Sequence, residues 1–360
     1  MRELKDLRVL FVGDLNQGTR SLMRAQKIHS LCGELVTLSN TPVPFIAGIN
    51  KPNISSRVFN KLRIPLDEAG INKALEDISD SYKNFDIAWI DKSNMLKPET
   101  LRKLKKINSK TVLISVSEDD MYALHNRSRY YENCLPLYDL VFTTKTYNIE
   151  ELMHLGAKRA EYFLDSYDED FHRPLAEYED VESKDINVCF IGTYEPERAD
   201  TISWLGNNGI QIAVYGNGWE SLIGSHQNIQ IKKCPVYGAE YIRTINRTKI
   251  NLGFLRKINR DQVTSRSMEI TGAGSFLLAE RTERHLQLFE EGIEAEFFSS
   301  DQELLEKINA YLSKPEEIKR IGQSGRLRCI RSGYGMKGLI ASMLTRALND
   351  SNVPVNFHVD

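Results

Sequence analysis

Two segments of the sequence repeat the same pattern, and this repeat constrains the fold more than any other feature. Residues 8–13 read RVLFVG and residues 187–192 read NVCFIG, so each is an uninterrupted apolar run that ends in glycine. Such runs are typical of strands that helices cover on both faces of a parallel sheet. Each run is followed by a segment of helical character, a glycine and a second apolar run. We therefore predict two units that each begin strand, helix, strand.

Further apolar runs complete both halves of the chain. They lie at 34–38, 85–90, 111–115, 140–143 and 161–164, and then at 210–215, 229–232, 250–254, 275–279 and 295–298. Strands that alternate with helical patterns favour doubly wound α/β layers. A length of 360 residues also suits two domains. We predict Rossmann-like parallel-sheet domains at 1–168 and 186–335, a polar, acidic linker at 169–185, and a C-terminal helix and tail at 336–360, for which packing back on the first domain is one option.

Composition argues against several classes of protein. The 47 basic and 49 acidic residues give a net charge of −2, so no overall field attracts the chain to nucleic acid or to an anionic membrane. The five cysteines are widely spaced, and we expect reduced core thiols. The N-terminal apolar stretch is too short for a signal peptide, and no run approaches the ~20 apolar residues that span a bilayer. We expect a cytoplasmic protein without a transmembrane segment and without a nucleic-acid partner.

Polar residues directly after predicted strands are candidates for ligand binding, because open parallel sheets bind ligands at the carboxyl ends of their strands. Gly13 opens a turn whose amides could bind an anion, although an ordinary tight turn explains it as well. The turn is neither Gly-x-Gly-x-x-Gly nor a P-loop, which argues against a nicotinamide dehydrogenase or an NTPase. Asp119 and Asp120 could bind sugar hydroxyls or act as a base, and a solvated acidic loop or a helix cap accounts for them equally well.

In the second half, an arginine and a glycine follow the first two strands. Arg198 lies in the first turn of a helix that Pro196 favours. A cation is unfavourable at a helix N-terminus, so a phosphate contact is a more natural role for Arg198 than a structural one. Gly216 lies in a glycine-hinged loop after the next strand, where we expect Trp219 to pack against the domain.

The segment 261–280 reads DQVTSRSMEITGAGSFLLAE. Thr264 or Ser265 can cap a helix that runs to about residue 273, whose free amides would attract a phosphate, and Arg266 adds positive charge. Glu269 lies about one turn further and can accept two hydrogen bonds from adjacent hydroxyls, which a ribose presents. A helix with one exposed Glu and a glycine C-cap is the alternative, and the spacing leaves both open.

Several motifs of the second half occur together in a known family. They are Lys249-Ile-Asn-Leu, Arg266-x-x-Glu269-x-x-Gly-x-Gly274, Glu280, the sequence LFEEG at 288–292 and the sequence ELLEKI at 303–308. In these residues the chain resembles the CgeB-like (spore maturation protein type) group 1 glycosyltransferases, and the first half is similar at 138–144 and 171–174. The resemblance implies the GT-B fold, in which two Rossmann-like domains face each other across a cleft.

The resemblance also implies roles for individual residues. In related retaining enzymes an acidic pair spaced Glu-x7-Glu binds the donor, and Asp261 and Glu269 have that spacing with Asp in the first place. By the same resemblance, Arg198 contacts the diphosphate and Lys249 belongs to the donor site. The complete predicted donor set is Gly13, Arg198, Gly216, Lys249, Thr264, Ser265, Arg266, Glu269 and Gly274. The predicted catalytic set is Asp119, Asp120 and Asp261.

We therefore expect a glycosyltransferase that moves a sugar from a UDP- or GDP-linked donor to a glycan, a protein or a small molecule. No Asp-x-Asp pair lies directly at a strand end as metal-dependent transferases require, so we expect no metal and no other cofactor, with a helix N-terminus and cations stabilising the leaving diphosphate. Similarity to the retaining families implies retention of configuration. Two alternatives stay open, namely a degenerate, non-catalytic nucleotide-sugar-binding protein and a nucleotide-sugar epimerase or hydrolase.

Overall fold

The computed structural model describes residues 3–44, 54–81, 84–232 and 235–349. They divide into two compact units, the first built by the chain up to Leu164 together with a helix that begins at Met336, and the second by Asp165–Gly335. Each unit has a parallel sheet of six strands. The segment 169–185, predicted as a linker, is part of the second unit.

In the first unit the strands are β1 (Arg8–Gly13), β2 (Glu34–Ser39), β3 (Ile87–Asp91), β4 (Val112–Ser117), β5 (Leu140–Thr143) and β6 (Ala160–Tyr162). The helices are α1 (Arg20–Leu31), α2 (Ile54–Lys61), α3 (Ile71–Ser81), α4 (Pro98–Ile107), α5 (Arg129–Cys134), α6 (Asn148–His154) and, from the end of the chain, α13 (Met336–Leu348). The sheet has the order β2-β1-β3-β4-β5-β6. Its strand order reverses between β1 and β3, which makes this the switch point of a doubly wound sheet.

In the second unit the strands are β7 (Ile186–Ile191), β8 (Ile212–Tyr215), β9 (Ile229–Lys232), β10 (Thr248–Gly253), β11 (Leu277–Glu280) and β12 (Glu296–Phe298). The helices are α7 (Pro196–Asn207), α8 (Gly238–Asn246), α9 (Ser265–Gly272), α10 (Glu283–Leu288), α11 (Asp301–Leu312) and α12 (Pro315–Arg331). The sheet order is β12-β11-β10-β7-β8-β9. Here the switch point lies between β7 and β10.

The sheet of the first unit is buried on both faces, which explains its continuous apolar strands. In β1, Leu10 and Val12 belong to one hydrophobic cluster and Val9 and Phe11 to another, because successive side chains of a strand point to opposite faces. Helix α13 contributes Met336, Ile340, Met343 and Leu344 to the second of these clusters. The C-terminal helix thus packs on the first unit.

The predicted class of two doubly wound parallel-sheet units is confirmed. All twelve predicted strands exist within two residues of the predicted bounds, and β1, β5 and β9 have the predicted bounds themselves. Within the part of the chain that the structure describes, no helix combines the length and the hydropathy that a bilayer-spanning segment requires. Cys32, Cys134, Cys189 and Cys329 are free thiols, and Cys234 lies outside the described residues.

Candidate functional site

A cavity of about 320 Å³ lies at the carboxyl ends of β7 and β10, where the strand order of the second sheet reverses. We call it the switch-point cavity. Loops after β7, β8 and β10 and the first turn of α9 form its walls. Five residues of the predicted donor set line it, namely Arg198, Gly216, Thr264, Ser265 and Arg266. The fold therefore brings together residues from three separate stretches of the sequence.

Gly216 shapes the wall of this cavity because two loops approach each other closely there. Its φ is +149°, and a Cβ at this position would lie 1.9 Å from the carbonyl oxygen of Gly192. The indole Nε1 of Trp219 donates a hydrogen bond to the same carbonyl at 2.8 Å. Trp219 is buried and its ring packs edge-on against Phe190 and Tyr194, as predicted for a packing residue.

Arg198 is a buried cation in the wall of the cavity. Its Nη1 donates to the carbonyl of Thr193 at 3.1 Å and its Nη2 to the carbonyl of Phe254 at 3.4 Å. Its Nε is buried and has no hydrogen-bond partner among the described residues, since the Glu195 carboxylate is 3.7 Å away. Burial lowers the pKa of Arg198, so the surroundings compensate its charge incompletely. An anion in the cavity would supply the missing compensation.

The N-terminus of α9 adds a second electropositive element to the same cavity. Thr264 is the N-cap residue, but its side chain makes no capping hydrogen bond, so the cap predicted from the sequence is not formed by that hydroxyl. The first amides of a helix have no intrahelical acceptor and carry the positive end of the helix dipole. Arg266 lies in this first turn, where its Nη1 donates to the carbonyl of Ile191 and its guanidinium lies 5.8 Å from the ring centroid of Tyr241. The free amides of the α9 N-terminus and the guanidinium of Arg266 together suit the binding of a diphosphate.

Glu269 lies further along α9 and is 4% exposed, so the alternative of an exposed surface Glu is wrong. Its Oε2 accepts a hydrogen bond from the hydroxyl of Tyr241, and that hydroxyl is 3.4 Å from Nε of Arg266. Burial, and next the charge of Glu269, raise the pKa of Tyr241, which keeps the phenol protonated as a donor. Glu269 does not line the switch-point cavity itself. It lies behind the wall, connected to Arg266 through Tyr241.

Two residues of the predicted donor set lie at the opposite edge of the sheet. Lys249 is the second residue of β10, and the carboxyl end at Gly253 lies four residues, or about 13 Å, further along. Gly274 follows the C-terminus of α9, where a Cβ would lie 3.1 Å from Pro174. Neither residue lines the switch-point cavity, because each lies at the far end of an element whose other end forms the wall. Their placement gives no support to the predicted contact with the donor, which stays a prediction.

Asp261 lies in the turn that connects β10 to α9. Its amide donates to the carbonyl of Arg256 at 3.2 Å, and the preceding Arg260 has a left-handed conformation with φ of +51°. Asp261 is half-buried and does not line the switch-point cavity. Its predicted catalytic role stays a prediction.

The acidic run after β4 has three different environments in the first unit. Asp120 is fully buried and accepts hydrogen bonds from Nδ2 of Asn148 at 2.8 Å and from the amide of Tyr122 at 3.1 Å. The residues that follow Asp120, 121–126, form turns rather than a helix, so these contacts hold a turn, and the predicted catalytic role of Asp120 stays a prediction. Asp119 forms an ion pair with Lys92. Glu118, the first carboxylate of this run and not among the predicted site residues, is bound by two arginines.

Glu118 is half-buried and belongs to a charge cluster at the carboxyl edge of the first sheet, in which Arg24 and Asp91 are buried. Arg24 donates to both oxygens of Asp91 at 2.6 and 2.8 Å and to Glu118 at 2.7 Å, and Arg20 donates to Glu118 at 2.8 Å. Burial by itself raises the pKa of Glu118, but the two arginines lower it to about 2. Positive residues on α1 and carboxylates just after strands are the signal that would have identified this cluster.

Gly13 lies beside this cluster for a steric reason. A Cβ at this position would lie 2.3 Å from Oγ of Ser21 and 2.7 Å from the ring of Phe11. Close packing of α1 on β1 thus accounts for the glycine, and its predicted anion contact stays a prediction.

Metal ligands were not predicted for this chain. Among the described residues, no group of three or more His, Cys, Asp or Glu side chains is arranged to hold a metal ion.

Comparison with known proteins gives a family match that covers most of the second unit and part of α13, and fold matches over the chain. Residues 198–344 match the model of a family described as glycosyl transferase-like. No curated protein sequence matches the chain significantly. Anabaena HepE in complex with UDP and glucose superposes with a TM-score of 0.62 at 10% identity, covering 96% of this chain and 100% of HepE. Sucrose-phosphate synthase from Thermosynechococcus elongatus superposes with a TM-score of 0.66 at 9% identity, covering 95% of this chain and 99% of the synthase.

A third structure with this fold has a different described activity. A Listeria monocytogenes protein described as a candidate UDP-N-acetylglucosamine 2-epimerase gives a TM-score of 0.52 at 12% identity, covering 95% of this chain and 96% of that one. The narrower CgeB-like resemblance stays a prediction, whereas the family match covers α9 and the arginines of the switch-point cavity. Residues 198–344 are therefore glycosyl transferase-like in sequence, and the chain has the GT-B fold.

Proposed function

We propose that the switch-point cavity binds the diphosphate of a nucleotide-sugar donor and that sugar transfer proceeds without a metal ion. The observation that carries the proposal is Arg198, a buried cation whose Nε has no hydrogen-bond partner among the described residues and which lines the cavity. The first turn of α9 with Arg266 lies in the same wall. Arg198 and the α9 N-terminus are both stabilised more by a bound anion than by an empty or apolar cavity.

The same groups would assist the chemical step. When the bond between the sugar and the nucleotide breaks, negative charge grows on the leaving diphosphate. Arg198, Arg266 and the α9 amides are fixed in place before the reaction, so they can stabilise that charge without reorganisation. This is the task that a divalent cation performs in metal-dependent transferases, and cations of the chain can take it over here.

The nucleoside would occupy the part of the cavity between the loops at 215–217 and 235–237. Tyr237 is 49% exposed there and offers an aromatic face to a base. Structures with UDP and glucose or described as acting on a UDP-sugar share the fold, and this supports UDP as the first donor to test. Glu269 is proposed to bind the ribose, which requires Tyr241 to release one carboxylate oxygen.

We propose retention of configuration, supported by the resemblance to retaining families in the 261–274 region. The acceptor class is a glycan, a protein or a small molecule. Determination of the anomeric configuration of the product by NMR tests the stereochemistry, and an inverted product would contradict it.

A thermal-shift panel of UDP-, GDP-, ADP- and dTDP-sugars in the presence of EDTA tests the donor class. A ligand at 100 times its dissociation constant stabilises a protein by about 2.7 kcal/mol, which corresponds to roughly 5–10 °C for domains of this size. We expect the nucleotide sugars of one nucleobase to raise the melting temperature by this amount in EDTA. Absence of any shift, or a shift that needs a divalent cation, would contradict metal-independent donor binding.

A nucleotide-sugar epimerase or hydrolase is the second candidate, because the fold is shared with the candidate Listeria epimerase. It predicts turnover of the donor without an acceptor. The transferase predicts that release of nucleoside diphosphate rises when an acceptor is added. A non-catalytic binding protein predicts binding without release under either condition.

A further inference from the structure

A second cavity, of about 330 Å³, lies at the amino edge of the sheet in the second unit. Lys184, Asn246 and Ser275 line it, and each lies two residues before the start of a strand, β7, β10 and β11 respectively. A six-residue strand spans about 20 Å. The amino-edge cavity is therefore a separate site from the switch-point cavity at the carboxyl edge.

Two cations in its wall have no acidic partner among the described residues. The Lys184 ammonium donates to the carbonyl of Asn246, and Nη1 of Arg326 donates to the carbonyl of Gly272. Burial lowers the pKa of Lys184 to about 8, so its charge is only partly compensated. Another lysine of the wall, Lys319, differs because Asp180 binds it at 2.8 Å.

The remaining wall of the amino-edge cavity is mostly apolar. Val181, Phe276 and Ile318 are buried and line it, and Leu327 is 49% exposed at the same cavity. The acidic side chain in the lining, Glu179, belongs to an exposed residue. The cavity thus combines an apolar wall with two cations that lack a carboxylate.

We propose that the amino-edge cavity binds a small organic anion with an apolar body. Its acidic group meets Lys184 and Arg326, and its body covers Val181, Phe276 and Ile318. A nucleotide sugar is a poor match, because its many hydroxyl groups would lie against the apolar wall. Since the segment 174–184 and α12 both line the cavity, the ligand would join them and stabilise the second unit.

Titration of the full chain with 8-anilinonaphthalene-1-sulfonate, followed by its fluorescence, tests the proposal. Saturating UDP is present, so that a nucleotide site is not available to the probe. We expect Lys184→Met and Arg326→Met each to weaken binding about fivefold or more, which is about 1 kcal/mol. Lys319→Met is the matched control, because Asp180 already neutralises that lysine, and we expect less than about a twofold change.

Two further measurements separate a lost charge from a damaged fold. Lys184→Arg keeps the charge and should bind the probe like wild type. N-phenyl-1-naphthylamine has the same rings without the sulfonate, and its binding should be weaker than that of the anionic probe and equal in wild type and Lys184→Met. Equal affinity of the sulfonate for wild type, Lys184→Met and Arg326→Met would overturn the proposal.

Discussion

At the scale of single residues, the candidate donor site is built around Arg198, a charge that the fold buries and only partly compensates. Arg198 keeps an Nε without a hydrogen-bond partner among the described residues, and Arg266 is connected to Glu269 through the hydroxyl of Tyr241. Burial of incompletely paired charge costs stability. We infer that this cost is retained because a ligand that brings its own negative charge is the missing partner.

The ribose role of Glu269 gives a first prediction. If the carboxylate binds the 2′ and 3′ hydroxyls, wild type should prefer UDP over 2′,3′-dideoxy-UDP by about tenfold, and Glu269→Gln should lose that preference. Tyr241→Phe should keep it, because the phenylalanine leaves the carboxylate available. Calorimetric titration with both nucleotides provides the comparison. Equal loss of UDP affinity in both variants, with the preference intact, would assign Glu269 to positioning Arg266 instead.

His285 gives a second prediction, on pH. It is fully buried, Nδ1 lies 2.8 Å from the carbonyl of Glu280, and Nε2 lies 2.9 Å from Oγ of Ser267 in the first turn of α9. Burial lowers the pKa of His285 to about 4. In the unfolded chain a histidine takes up its proton near pH 6.5, so between pH 6.5 and 4 the unfolded state binds more protons and stability falls with falling pH.

The expected loss from His285 between pH 7 and pH 5 is about 2 kcal/mol, at about 1.4 kcal/mol for each pH unit below 6.5. Urea unfolding at pH 7, 6 and 5 in wild type and His285→Gln measures it. The variant should be less stable at pH 7 and should lose less stability on acidification. Parallel pH profiles of the two proteins would contradict a neutral His285 in the folded state.

At the scale of elements, each sheet carries its polar chemistry at its carboxyl edge. In the second sheet this edge is the switch-point cavity, whereas in the first it is the paired cluster of Arg20, Arg24, Asp91 and Glu118. The cluster joins α1 to the ends of β3 and β4. Its charges are satisfied within the chain, so it fixes the position of these elements.

Arg24→Met tests that structural role. The substitution leaves Asp91, which is 3% exposed, without its bidentate partner and should reduce the free energy of unfolding by about 3–5 kcal/mol. Arg320→Met is the matched control, because Arg320 and Glu317 form an exposed pair on α12, and the expected loss is below about 1 kcal/mol. Guanidinium unfolding measures both. Similar small losses would show that the cluster does not hold α1 on the sheet.

The sequence predicts elements well where a local pattern determines them. The runs at 140–143 and 229–232 become β5 and β9 with unchanged bounds, because apolar runs between polar residues indicate buried strands. Arg198 and residues 264–266 follow from helix-start signals. Arg24 and Asp91, which form an ion pair, lie 67 positions apart in the sequence. Tyr241 and Glu269, which share a hydrogen bond, lie 28 positions apart. Such contacts depend on strand order, which local patterns do not encode.

Lys249 and Gly274 illustrate a second limit. Their neighbours in the sequence lie in elements that do contribute to the switch-point cavity, but these two residues lie at the opposite ends of β10 and α9. A motif identifies the element, whereas the side of the sheet depends on the direction in which that element runs. The edge of the sheet on which Lys249 and Gly274 lie therefore follows from the topology of the structure and not from the motif.

At the scale of the whole molecule, the chain builds two units with separate cores and returns at its end to the first. Helix α13 buries Met336, Ile340, Met343 and Leu344 in the core of that unit. Full burial of a large apolar side chain contributes about 1.5–3 kcal/mol. The helix is therefore a substantial part of the first unit's stability.

Removal of residues 336–360 tests this assignment. Hydrogen exchange followed by mass spectrometry should show loss of protection in β1, β3 and β4, with protection in β7, β10 and β11 retained. The full chain is the control. Unchanged exchange in the first unit, or loss confined to the second, would contradict the packing of α13.

The central claim is that the switch-point cavity binds the donor diphosphate through Arg198. The measurement that tests it most directly is calorimetric titration of UDP, and of any other diphosphate found in the thermal-shift panel, into wild type, Arg198→Met and Arg320→Met in EDTA. We predict that Arg198→Met weakens binding at least about tenfold, a loss of about 1.4 kcal/mol, while Arg320→Met binds like wild type. Equal affinity of Arg198→Met and wild type would contradict the claim.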